Sequence, residues 1–64
     1  SYNMILEIVT KVYDQIITDK HIGYRVTNSQ NDEVTFVPKN VNNSDYQAIQ
    51  EWIADGGTVI DPGE

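Results

Sequence analysis

The stretch NNSDYQAIQEWIADGG, residues 42–57, combines a helix start signal, a periodic apolar body and a helix stop signal. Its first three residues can each serve as an N-cap, because their side-chain oxygens can accept from the free N–H groups of a first helical turn. Gly56 suits the left-handed conformation that often follows the last helical residue. The stretch therefore predicts a helix over residues 44–55.

One face of this helix is apolar, and its apolar residues are Tyr46, Ala48, Ile49, Trp52 and Ile53. At about 100° per residue they cover an arc of roughly 160°, as in a helix with one buried face. The helical spacing of Tyr46 and Trp52 indicates core aromatics rather than interface anchors. Because so short a helix is marginal alone in water, it is expected to pack on another element.

The residues before the helix predict strands. Residues 22–28 and 33–37 alternate apolar and polar side chains, and a polar run of turn formers separates them. Residues 4–19 are ambiguous, because their apolar residues also fill about half of a helical wheel. Their content of Ile, Val, Thr and Tyr favours a strand over residues 4–13. An N-terminal helix over residues 4–19 stays the alternative.

The simplest assembly is an α+β fold, a three-stranded antiparallel β-meander with the C-terminal helix packed on one face. The residues expected to face the helix are Leu6, Ile8, Val12, Tyr24, Val26, Val34 and Phe36. This assignment leaves Ile5, Val9 and Tyr13 as an apolar row on the far face, which predicts a self-association or docking surface. The alternative is that Val59 and Ile60 fold back over the row.

Length and charge limit the possible classes of protein. The 64 residues predict a single small domain, residues 1–64, with a thin core and a flexible acidic tail over residues 58–64. The net charge is −6, and residues 40–64 contain five acidic residues and no basic one. A phosphate backbone as partner is therefore not expected. No apolar run approaches the roughly 20 residues that a membrane span needs.

The sequence contains no recognisable catalytic or metal-binding group. His21 has no cysteine or second histidine beside it, and it is predicted to be a polar turn residue. Asp32 and Glu33 are adjacent, so on a strand they would point to opposite faces and would not act as an acid–base pair. We therefore expect no catalytic residue, no metal, no cofactor and no small-molecule substrate.

The C-terminal half carries a resemblance to a known family. The residues involved are Val37-Pro38, Asn43-x-Asp45-Tyr46-Gln47, Trp52 and Gly56. Their order resembles a recurrent C-terminal pattern of small bacteriophage tail proteins, also found at the ends of some tail-fibre and tail-fibre-assembly proteins. The chain departs from this pattern at Glu51, where the family has an apolar residue, and at Gly57, where it has Asn. The resemblance implies a virion or tail-associated component and supplies no catalytic residue.

Two functional interpretations stay open. The first is a small phage virion or tail-assembly module that acts through protein–protein contacts, either with itself or with a phage structural protein. The second is an acidic phage-encoded regulator that binds a host protein, since an acidic face can occupy a basic cleft. Both place the protein in the virion or the host cytoplasm, and neither involves a nucleic acid or a membrane.

Overall fold

The computed structural model describes residues 4–63, and these form three strands followed by one helix. The elements are β1 (Ile8–Tyr13), β2 (His21–Thr27), β3 (Val34–Pro38) and α1 (Ser44–Ala54). The strands form one antiparallel sheet in the order β1-β2-β3. The predicted meander with a C-terminal helix is confirmed, and the alternative of an N-terminal helix over residues 4–19 is wrong. Residues 1–3 and 64 of the predicted domain lie outside the described residues.

The start of α1 follows from one capping side chain. Asn43 has extended backbone angles, φ −85° and ψ 124°, and its Oδ1 accepts a hydrogen bond from the Tyr46 N–H at 3.0 Å. This bond satisfies one of the free donors of the first turn. The Gln47 side-chain amide donates to the Val41 carbonyl at 2.7 Å, so it ties the preceding loop to the helix.

An Asn43→Ala variant is expected to lose about 1 kcal/mol of unfolding free energy, because the first turn loses its capping acceptor. Urea denaturation followed by circular dichroism measures this loss. Asn42→Ala is the matched control, since the Asn42 side chain has no such role and only its backbone N–H is bonded, to Asn40 Oδ1 at 2.9 Å. Equal stabilities of the two variants would show that Asn43 does not cap the helix.

The end of α1 is a Schellman motif. Gly56 has φ +105°, a value that suits glycine, and its N–H donates to the Ile53 carbonyl at 3.0 Å. The Gly57 N–H donates to the Trp52 carbonyl at 2.9 Å, which completes the pair of bonds typical of this motif. The Trp52 indole also lies against Gly57, where an added Cβ would stand 2.6 Å from Cε3 of the ring. The two glycines therefore have different roles, one conformational and one steric.

The core lies between α1 and one face of the sheet. Its buried residues are Leu6, Val9, Tyr24, Val26, Val37 and Ile49. Val9 pairs with Val26 across β1 and β2, and Tyr24 pairs with Val37 across β2 and β3. Because directly opposed residues of an antiparallel pair share a face, these four side chains point towards the helix together. Ile49 of α1 is fully buried against them.

The predicted inner layer is correct for Leu6, Tyr24 and Val26 but wrong for β1 and β3. Because Val9 is opposite Val26, the odd-numbered residues of β1 face the helix. The pairing of Tyr24 with Val37 places the odd-numbered residues of β3 on the same face. The residues assigned wrongly are Ile8, Val12, Val34 and Phe36. Both faces of β1 are apolar, so hydrophobicity alone could not choose between them, and a shift of one residue reverses every side chain.

The segment after the helix returns to β1. Ile60 forms a parallel bridge with Thr10: its N–H donates to the Val9 carbonyl at 2.8 Å and its carbonyl accepts from the Lys11 N–H at 2.9 Å. Val59 packs against the core cluster that contains Val9. The segment therefore returns to β1, and Val59 covers the predicted row at Val9 as the alternative expected. A cover of Val59 and Ile60 over Ile5 and Tyr13 stays a prediction. The mobility predicted for residues 58–64 stays a prediction, and Glu64 lies outside the described residues.

Candidate protein interface

No strand or helix of the described residues packs on the sheet face opposite α1, and we call it the open face. The pairing of the strands arranges it in three rows, which are Ile8, Thr27 and Val34; Thr10, Arg25 and Phe36; and Val12, Gly23 and Pro38. Arg25 supplies its one charged side chain. The open face is therefore a mainly apolar surface with a single positive charge near its centre.

Strand β3 is the most accessible part of the open face. Val34 is 54% exposed and Phe36 is 53% exposed, whereas Ile8 on β1 is 38% exposed. Thr35 points to the other side of the sheet and is exposed as well, so the helix does not cover this part of β3. Three consecutive residues of one strand are thus open to solvent on both sides of the sheet.

The Phe36 ring is positioned by a glycine on the neighbouring strand. An added Cβ at Gly23 would stand 2.8 Å from Cζ of Phe36 and would also collide with the carbonyl oxygen of Val37. A real Cβ does not come this close to either atom, so Gly23 is required for this packing. The ring covers the gap that the glycine leaves in the sheet, a pairing also used in designed sheets. Phe36 is therefore an ordered part of the open face.

The structure does not bring the predicted interface residues Ile5, Val9 and Tyr13 together on an exposed face. Val9 is fully buried and faces the helix, so its assignment to the far face is wrong. Ile5 and Tyr13 are half-buried, and the Tyr13 hydroxyl donates to Asp61 Oδ1 at 2.9 Å and Oδ2 at 3.0 Å. A contact of Ile5 or Tyr13 with a partner stays a prediction.

The open face is the surface that sequence reasoning missed, because Val34 and Phe36 were assigned to the core. One signal in the sequence bears on the position of β3. Pro38 has no N–H, and proline within a sheet is confined to edge strands, strand ends and bulges. It therefore favours an edge position for β3, where an apolar residue can stay exposed.

His21 is a strand residue, so its prediction as a turn residue is wrong. Its Nε2 donates to the Gly23 carbonyl at 2.8 Å, and its ring contacts Tyr24 edge-on at 4.8 Å between centroids. Burial lowers the pKa of His21 below its ordinary value, and the positive charges of Lys39 and Lys11 act in the same direction. The Gly23 hydrogen bond and the charge of Asp61 oppose this shift.

The lowered pKa of His21 predicts a loss of stability on mild acidification. The unfolded chain takes up the proton first, so the free energy of unfolding falls as the pH drops from about 6.5 through the pKa of the folded state. This chain has one histidine, so NMR titration of its ring protons measures the midpoint directly. A His21→Gln variant is expected to lose less stability between about pH 7.5 and pH 5. A midpoint above 6.5 would contradict this assignment.

The acidic groups of the C-terminal region are not all available to a partner. Asp61 forms an ion pair with Lys11 at 3.6 Å and accepts from the Tyr13 hydroxyl. Its bond from the Gly63 N–H, followed by the Tyr13 bond, lowers the pKa of the Asp61 carboxyl. Asp61 thus remains ionised and holds the C-terminal segment on β1. This internal role removes one charge from the acidic surface predicted for residues 40–64.

A groove of about 250 Å³ lies where the β1–β2 loop meets the C-terminal segment. Lys11 and Arg25 line it together with Asp14 and Pro62. Lys11 is already paired with Asp61, and the Asp14 carboxylate accepts from the backbone N–H groups of its own loop. In the described part of the chain, no group of three or more His, Cys, Asp or Glu side chains could hold a metal ion. Two charged side chains of the groove, Lys11 and Asp14, are thus engaged within the chain.

Comparisons with known proteins do not assign the chain to a class. It matches no protein-family model, and neither the curated proteins nor the solved structures contain a significant match. Within residues 4–63, no helix combines the length and the apolar character needed to cross a bilayer. The open face is thus the feature of the described chain that points most directly to a function.

Proposed function

We propose that the chain is a small structural or assembly module of a bacteriophage particle, associated with the tail, that acts through protein–protein contacts. The observation that carries this proposal is the exposure of Ile8, Val34 and Phe36 on the open face. Contiguous apolar surface on a small protein usually marks an interaction site. The proposed contact surface is thus the open face, and Val9, which is buried beneath the helix, is not part of it.

The architecture supports this role. A sheet with a helix on one side forms two layers, and a third layer would cover the remaining side. A domain of 64 residues buries only about 60% of the surface that its unfolded chain exposes, and this chain has no cysteine, so assembly would add to its stability. A partner on the open face would supply both the missing layer and additional buried area.

The resemblance to tail proteins gives this module its setting. The pattern from Val37-Pro38 to Gly56 covers the end of β3, the capping loop and α1, the parts that hold the helix on the sheet. Apart from Pro38, the residues of this pattern lie outside the open face, so the resemblance concerns mainly the scaffold. The acidic regulator has less support, because Asp61 is engaged within the chain.

Mass spectrometry of purified particles tests the proposal. We expect the chain to be present in tail-containing particles in a fixed ratio to the other structural proteins. A genomic Val34→Ser, Phe36→Ser double variant is expected to be depleted from the particles. Ile16→Ser is the control, since Ile16 is 92% exposed but lies in the β1–β2 loop, outside the strands that form the open face.

Circular dichroism of the purified variants must show that both remain folded. Detection of the chain only in infected-cell lysate, and never in particles, would overturn the proposed function. Equal incorporation of the double variant and the Ile16→Ser control would show that the open face is not the contact surface.

A further inference from the structure

We propose that two copies of the chain pair antiparallel through β3, across a twofold axis at Thr35, and form one continuous six-stranded sheet. This inference rests on the proposed function, because it names a second copy of the chain as the partner at one edge of the open face. It is carried by three features of β3, namely its free edge, its apolar side chains and its opposite charges at the two ends.

The two edges of the sheet differ. The β1 edge is covered at its centre, where Ile60 satisfies the Val9 carbonyl and the Lys11 N–H. At the other edge, two hydrogen bonds show which backbone groups near β3 face β2. The Asn28 N–H donates to the Glu33 carbonyl, and the Lys39 N–H donates to the Ile22 carbonyl. The groups that face β2 are the N–H and C=O of the odd-numbered residues, because the backbone groups of successive residues point alternately to the two sides of a strand.

The backbone groups of Val34 and Phe36 therefore point away from the sheet. Both residues are more than half exposed, so a second strand can reach them. An uncovered strand edge of this kind is a template for pairing with another chain. Among residues 4–63, the C-terminal segment covers one edge of the sheet and no segment pairs with the edge at β3.

Antiparallel pairing about Thr35 satisfies the exposed groups of both copies. In this register Val34 lies opposite Phe36 of the second copy, and each residue uses both its N–H and its carbonyl. The side chains of the opposed residues lie on the open face, where an aromatic side chain beside a β-branched one is a favourable cross-strand pair. Pro38 has no N–H to donate, so the ladder ends before it.

The charges at the ends of β3 select the antiparallel direction. Glu33 precedes the strand and Lys39 follows it, and the described residues include no ion-pair partner for either side chain. In the proposed register Glu33 of one copy and Lys39 of the other are diagonal neighbours on the same side of the sheet, within reach of long side chains. Parallel pairing would instead place like charges together, so the strand favours a twofold partner of its own sequence.

The first test is the mass of the whole chain in solution. Sedimentation equilibrium over about 10 µM to 1 mM covers the range in which a small interface of this kind is populated. We expect the mass to rise from 7.3 kDa to twice that value. Val34→Lys and Phe36→Lys are each expected to weaken association by at least about tenfold, since an edge lysine opposes strand pairing. Ile16→Lys is the control with the same charge change.

The second test fixes the register and does not depend on the fold tolerating a lysine. The natural chain has no cysteine, so Thr35→Cys introduces a single thiol. Across the twofold axis the two copies of residue 35 form a close, non-hydrogen-bonded pair, with Cα atoms about 4.5 Å apart, which permits a disulfide. Thr35→Cys is expected to form a covalent dimer in mild oxidant. Val41→Cys, at a position 72% exposed in the loop before α1, is expected to do so far more slowly.

The outcomes separate this inference from the proposed function. A monomer at every concentration overturns the dimer, as does a dimer that neither crosslinks at residue 35 nor responds to the lysine variants. If such a chain is still found in particles, the proposed function stands and its partner is a different protein. If the chain dimerises through β3 but is absent from particles, the proposed dimer stands and the proposed function is wrong.

Discussion

An Ile49→Ala variant is expected to lose about 2–5 kcal/mol of unfolding free energy, which is about half of the roughly 3–10 kcal/mol expected for a domain of 64 residues. Ile49 is fully buried and is the helix residue at the centre of the core. Its truncation leaves a cavity between α1 and the sheet, and so thin a core has few other contacts to compensate. Urea denaturation followed by the fluorescence of Trp52 measures the loss.

The matched control for this truncation is Ile16→Ala. Ile16 is 92% exposed in the β1–β2 loop, so the same chemical change there is expected to alter the unfolding free energy by less than about 0.5 kcal/mol. Similar losses at both positions would mean that α1 does not pack on the sheet through Ile49.

The second large effect is expected at Gly23. Gly23→Ala is expected to lose about 3 kcal/mol, the upper end of the usual range for overpacking, because the new Cβ meets both the Phe36 ring and the backbone carbonyl of Val37. The ring can rotate away, but the carbonyl belongs to the neighbouring strand and cannot move without disturbing the sheet. The same denaturation experiment measures the loss, and NMR of Phe36 reports whether its ring is displaced.

Gly56→Ala separates this steric effect from the general cost of replacing a glycine. Apart from the adjoining residues, no described heavy atom lies within 4 Å of a Cβ at Gly56. The cost there therefore comes from its φ of +105° and is expected to be about 1–2 kcal/mol. A smaller loss at Gly23 than at Gly56 would contradict the close packing of β2, β3 and Phe36.

The helix could be predicted well from sequence because its signals are local. The capping residues before position 44, the apolar face around Ile49 and the glycine at position 56 each act within one or two turns. The hairpin of β2 and β3 could also be predicted, since the alternation in residues 22–28 and the turn formers after it define it without reference to the rest of the chain. The first strand could be predicted less well, because the apolar residues of 4–19 fit a helix as well.

The side of the sheet that α1 covers could not be predicted in the same way. It depends on the pairing of Val9 with Val26 and of Tyr24 with Val37, and loop geometry sets these pairings. Phe36 is more apolar than its neighbours, and hydrophobicity alone would bury it. The buried residue is Val37, because Phe36 packs across Gly23 on the other face.

The candidate site could be predicted only as a type of surface. An uncovered apolar sheet face follows from having three strands and one helix, but its residues depend on the pairing. The predicted row of Ile5, Val9 and Tyr13 is therefore wrong at Val9, which is buried and faces the helix. The return of Ile60 to β1 is a contact of high sequence separation, and a short apolar pair near the end of the chain is too weak a signal to place it.

Thiol labelling of single-cysteine variants tests most directly which face of the sheet is open. The chain has no cysteine of its own, so Val34→Cys and Val37→Cys each report on one side of β3. At low micromolar protein, where the copies are separate, residue 34 is expected to react nearly as fast as in urea. Residue 37, which is 1% exposed, is expected to react only through unfolding and thus orders of magnitude more slowly. Fast labelling at residue 37 with protection at residue 34 would contradict the open face and the interface proposed on it.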